Sequence, residues 1–67
     1  MDTKFEKGNL VRANVAEQGM TLGGLYVVDA VIKNETPFGT FVTYIIENGT
    51  ETLRIGNGHM LLTLMAR

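Results

Sequence analysis

Phe38-Gly39-Thr40-Phe41-Val42-Thr43-Tyr44-Ile45-Ile46-Glu47-Asn48-Gly49-Thr50-Glu51-Thr52-Leu53-Arg54-Ile55 is the stretch whose reading decides the fold. Two runs rich in β-branched and aromatic residues flank Asn48-Gly49, a strong short signature of a β-hairpin. A type I′ turn needs positive φ at both central residues, which Asn and Gly tolerate. A two-residue loop predicts Glu47 opposite Thr50, Ile45 opposite Thr52, Tyr44 opposite Leu53, Thr43 opposite Arg54 and Val42 opposite Ile55. One face then holds Val42, Tyr44, Ile46, Leu53 and Ile55. The other holds Phe41, Thr43, Ile45, Thr52 and Arg54. The first face is the core, because a slip of one residue would bury Arg54 and the threonines.

Outward from this hairpin the chain reads as further short strands. Leu10–Val15 alternates Val11, Ala13 and Val15 against Leu10, Arg12 and Asn14, and follows a turn at Lys7-Gly8-Asn9. Leu25–Lys33 is apolar at nearly every position, so one face should pack in the core and the other should be partly covered. Asn34-Glu35-Thr36-Pro37 reads as a polar turn, Phe38–Glu47 as the third strand and Thr50–Ile55 as the fourth. Gly56-Asn57-Gly58-His59 is another tight turn, Met60-Leu61-Leu62 a single 3₁₀ turn, and Thr63–Met65 a last strand. Ala16–Gly24 is a long loop with two buriable side chains, Met20 and Leu22. The expected core is Val11, Ala13, Val27, Val31, Val42, Tyr44, Ile46, Leu53, Ile55, Leu62 and Leu64.

Length and composition narrow the function. Sixty-seven residues make a single domain, 1–67, with a small core. No cysteine, serine or tryptophan occurs, which removes disulfides, thiolate zinc sites and cysteine or serine nucleophiles. Six basic side chains against seven acidic ones give a net charge of -1, unlike a surface made mainly to coat phosphate. Met1-Asp2-Thr3-Lys4 opens no apolar signal region, and Met60–Ala66 is too short to span a bilayer. Asn34-Glu35-Thr36 and Asn48-Gly49-Thr50 match the glycosylation pattern but read as turns. The expected location is the cytoplasm, with no membrane contact.

Five short strands, a long first loop, a tight hairpin and a 3₁₀-like turn before the last strand resemble an SH3-like small barrel, from about Lys7 to Met65. The segments that carry the resemblance are Lys7-Gly8-Asn9-Leu10-Val11-Arg12 and Gly23-Gly24-Leu25-Tyr26-Val27-Val28. They are similar to the openings of KOW-type domains and of small bacteriophage-encoded proteins. The resemblance implies an all-β, five-stranded SH3-like barrel, and a phage accessory protein whose target is a host protein. The chain departs from nucleic-acid-binding KOW domains in being less basic. It lacks the tryptophan with which SH3 domains line a groove for proline-rich peptides.

Chemistry-bearing residues are sparse. His59 is the only histidine, and no spacing supplies the three or four ligands of a metal site. It reads as a residue packing a turn. Gly56-Asn57-Gly58 would make an anion nest, but with no following helix expected it reads as a turn. Asp2, Asp29, Glu6, Glu17, Glu35, Glu47 and Glu51 show no paired spacing for acid–base work and read as solvated. No catalytic residue, cofactor or metal is expected. Lys7, Arg12, Lys33 and Arg54, with Lys4 and beside Tyr26 or Phe41, would form a basic strip for single-stranded nucleic acid. The competing reading is isolated surface charge. The sharper feature is the outer hairpin face. Phe38, Phe41, Thr43, Ile45, Thr52 and Arg54 form an apolar patch with an arginine, the composition of a protein-binding surface. The competing reading is that the Ala16–Gly24 loop folds over that face with Met20 and Leu22. The function expected is a non-enzymatic binding module whose partner is a protein, either a second copy in a homo-oligomer or a larger target. The alternative is a nucleic-acid-binding KOW-like domain.

Overall fold

The structure, a computed structural model, describes residues 4–67. Asp2, one of the acids read as solvated, lies outside the described residues. Five strands form one antiparallel sheet in the order β4-β3-β2-β1-β5. They are β1 (Leu10–Ala13), β2 (Leu25–Thr36), β3 (Gly39–Glu47), β4 (Thr52–Gly56) and β5 (Leu62–Ala66). A single helical turn, α1 (Gly58–Leu61), joins β4 to β5. The all-β, five-stranded architecture is therefore as expected. The outer strands β4 and β5 do not pair with each other, so strand pairing does not close the sheet into a barrel.

The hairpin at Asn48-Gly49 keeps its faces and changes its register. The observed pairs are Glu47↔Thr52, Ile46↔Leu53, Ile45↔Arg54, Tyr44↔Ile55 and Thr43↔Gly56. The loop is four residues long, Asn48–Glu51, and only Gly49 of the pair has positive φ, +91°. The expected type I′ turn is thus replaced. The Asn48 Oδ1 accepts from the backbone N–H of Thr50 and Glu51 and from the Thr50 hydroxyl, at 2.8–3.0 Å. That Asx-type bonding holds the wider loop. A shift of two residues preserves the side-chain alternation, so Tyr44, Ile46 and Ile55 remain buried and Val42 and Leu53 pack against them.

β2 departs most from expectation. It runs on to Thr36, and the turn falls at Pro37-Phe38, with Thr36 paired to Gly39. The Thr36 hydroxyl donates to the Gly39 carbonyl and accepts from the Phe38 N–H. A bulge interrupts the β2–β3 ladder between Val28 and Ala30. One extra residue inverts the alternation and bends the strand. Before the bulge Tyr26 and Val28 are buried and Val27 is 39% exposed, which corrects the placement of Val27 in the core. After it Val31 packs on the core.

The strand side chains of the core project from the same side of one sheet. A bare sheet leaves such a face wet, so near-zero exposure at Val11, Tyr26, Tyr44, Ile46 and Ile55 requires that face to be covered. Three contacts show the segments that cover it. Phe5, fully buried and missing from the expected core, meets the Tyr44 ring edge-on at 5.3 Å. Gln18 in the β1–β2 loop bonds both the N–H and the carbonyl of Gly56 on β4 at 2.9 Å. Gly58 of α1 lies so close to Tyr44 that a Cβ there would sit 2.5 Å from the ring. Met20 is buried as expected, whereas Leu22 is exposed. β1 ends at Ala13 rather than Val15, and the turn before β5 is α-helical rather than 3₁₀, so a single helical turn does follow Gly56-Asn57, where none was expected.

Candidate functional site

The face of the sheet turned away from the core carries several apolar side chains. On β3 it carries Phe41, Thr43 and Ile45; on β4, Arg54 beside Ile45 and Thr52 beside Glu47. β2 contributes Ala30 opposite Ile45 and Ile32 opposite Thr43. Before the bulge it adds Leu25 and Val27, with Leu10 of β1 beside Val27. Phe41 is 55% exposed, and Leu25 and Val27 are also exposed.

Five of the six residues expected to bind protein, Phe41, Thr43, Ile45, Thr52 and Arg54, therefore share this face. Their pairing differs, since Arg54 lies beside Ile45 and not Thr43. Phe38 stands apart at the tip of the β2–β3 hairpin, 93% exposed. The β1–β2 loop does not fold over the face: its buried side chain, Met20, enters the core. Leu25, Val27, Ala30 and Ile32 belong to the surface but were not expected there. The one signal for them is Asp29, the only charged residue inside the apolar run from Leu25 to Ile32.

The basic residues do not line up. Arg12 lies on β1 and Arg54 on β4, with two strands between. Lys7 and Lys33 line an open groove of about 630 Å³ together with Glu6, Asp29, Ala30 and Val31. Two carboxylates thus share the groove with the two ammonium groups. Tyr26, considered as a stacking partner for this strip, is buried, and its hydroxyl accepts from the Thr21 N–H at 3.0 Å.

His59 is exposed, and its carbonyl accepts from the Lys4 Nζ at 3.0 Å. Among the described residues no group of three or more His, Asp or Glu is placed to hold a metal. No helix among them is long and apolar enough to cross a membrane. Comparison with protein-family models, with curated proteins and with solved structures gave no match.

Proposed function

We propose that this chain is a non-enzymatic binding module, an SH3-like small barrel in layout, that meets a protein partner through the outer face of its sheet. The observation that carries this reading is the exposure of Leu25, Val27 and Phe41 on one face beside Ile45 and Arg54. Exposed apolar surface of this kind costs solubility unless a partner covers it, and an aromatic beside arginine is typical of interface centres. The strand order, the long β1–β2 loop and the helical turn before β5 support the barrel layout. The similarity of Lys7–Arg12 and Gly23–Val28 to bacteriophage proteins supports a host protein in the cytoplasm as the partner.

The test is capture of partners from host lysate on immobilised protein, comparing parent with the Phe41→Glu, Ile45→Lys double variant. The parent retains a protein in high salt, and the double variant, folded by circular dichroism, loses it. Retention of nucleic acid that falls steeply with salt would overturn this reading for the alternative through Lys7, Arg12, Lys33 and Arg54.

A further inference from the structure

Three amide side chains precede a glycine in this chain: Gln18-Gly19, Asn48-Gly49 and Asn57-Gly58. Such a pair can cyclise, because glycine has no side chain to hinder attack by its own nitrogen on the neighbouring amide carbon. The structure treats the three differently. The Gln18 amide is held at both ends, its Oε1 accepting from the Gly56 N–H and its Nε2 donating to the Gly56 carbonyl at 2.9 Å. The Asn57–Gly58 peptide is held too. Its carbonyl accepts from the Met60 N–H at 2.9 Å, and Gly58 is buried against the Tyr44 ring. Turning that peptide toward the Asn57 side chain would break the bond and disturb the packing on Tyr44. The Asn48–Gly49 peptide has no such tether. Both residues are exposed, and a Cβ added at Gly49 would have nothing within 4 Å. Among the described residues no hydrogen bond holds the Asn48 carbonyl or the Gly49 N–H.

The Asn48 side chain is also polarised. Its Oδ1 accepts from the Thr50 N–H at 3.0 Å, the Thr50 hydroxyl at 2.8 Å and the Glu51 N–H at 3.0 Å. These donors converge on the oxygen that takes up negative charge when a nucleophile adds to Cγ, and donors set in place beforehand lower a barrier of this kind. We infer that Asn48 is a site of self-modification: the Gly49 nitrogen attacks Asn48 Cγ, and the side chain loses its amide as ammonia. Hydroxide takes the Gly49 amide proton, the N–Cγ bond forms, and Oδ1 receives the electron pair of the C=O bond. That pair returns as the Cγ–Nδ2 bond breaks, and the leaving nitrogen takes a proton from solvent. The product is a cyclic imide, a succinimide. Water then opens the ring at either carbonyl. Opening at Cγ leaves an aspartate, and opening at the main-chain carbonyl leaves an isoaspartate with the chain routed through Cγ. The sum is one water in and one ammonia out, with nothing oxidised or reduced. The new carboxylate lies between Glu47 and Glu51 and makes a net charge of -1 more negative. This chemistry belongs to the chain itself and does not rest on the outer-face reading above.

Peptide mapping by mass spectrometry during incubation at neutral pH reads each asparagine separately, in the folded protein and in the chain unfolded by guanidinium. Asn48 should convert in the folded protein at least as fast as in the unfolded chain. Folding should slow Asn57 by about tenfold or more. Both aspartate and isoaspartate should accumulate at position 48, the mark of ring opening. Thr50→Val removes one donor to Oδ1 and should slow the conversion several-fold, whereas Thr50→Ser keeps the hydroxyl and should convert at the parent rate. Circular dichroism checks that both variants fold, and the comparison of the two states of the parent stands without them. Folding that slows Asn48 as much as Asn57 would overturn the inference. So would aspartate without isoaspartate, which means direct hydrolysis. A folded Thr50→Val variant that converts as fast as the parent or faster would show that these bonds restrain Asn48 and do not activate it.

Discussion

The body of the sheet and the arm formed by the ends of β2 and β3 belong to the same strands and differ in composition and burial. In the body, Val11, Tyr26, Val28, Tyr44, Ile46, Ile55 and Leu62 are buried within one cluster. In the arm, every residue from Lys33 to Phe41 is exposed, two phenylalanines included. Hydrophobic stabilisation scales with apolar area removed from water, so the arm adds little to it while the body supplies nearly all. The bulge near Asp29 marks this division: β1 pairs with β2 only before it, at Leu25, Tyr26 and Val27. A twelve-residue strand in a domain this small is more than the core requires.

Substitutions in the two regions should differ accordingly. The largest loss is expected at Phe5, buried against Tyr44. Phe5→Ala should cost about 3–5 kcal/mol, read as a fall in the urea midpoint. A loss under about 1 kcal/mol, the scale of a surface change, would show that the N-terminal segment does not belong to the body. Next is Gly58→Ala, whose new methyl meets the Tyr44 ring at 2.5 Å. About 1–3 kcal/mol should be lost to overpacking. Gly49→Val follows at about 1–2 kcal/mol, because the position has open space but a positive φ that a β-branched residue resists. The smallest effect is in the arm, where Phe38→Ser should change monomer stability by no more than about 0.5 kcal/mol, measured in dilute solution. A large loss there would erase the contrast between arm and body.

The same contrast explains what was legible in the sequence. Alternation in Phe41–Glu47 and Thr52–Ile55 identified the inner and outer faces, because side-chain period survives a slip of two residues. The register itself was not legible. Asn48 supports either a type I′ turn or an Asx-type loop, and its bonds to Thr50 and Glu51 select the second. Val27 was placed inside because Leu25–Ile32 is apolar at every position but Asp29, so periodicity gives no face there. The bulge beside Asp29 set both the buried pair Tyr26 and Val28 and the exposed pair Leu25 and Val27. Phe5 escaped notice because a lone aromatic outside any periodic run carries no pattern. Phe41, Thr43, Ile45, Thr52 and Arg54 were found together, since one strand face and its partner sufficed. Phe38 belongs to the arm because β2 extends through Thr36, past a segment that reads as a turn.

Amide hydrogen exchange tests the central claim most directly, because it reads arm and body in one experiment. The body amides of Val11, Tyr44, Ile46 and Ile55 should be strongly protected. The arm amides of Phe38, Thr40 and Phe41 should exchange much faster. Protection of the arm amides equal to that of the body would contradict the contrast between the two regions.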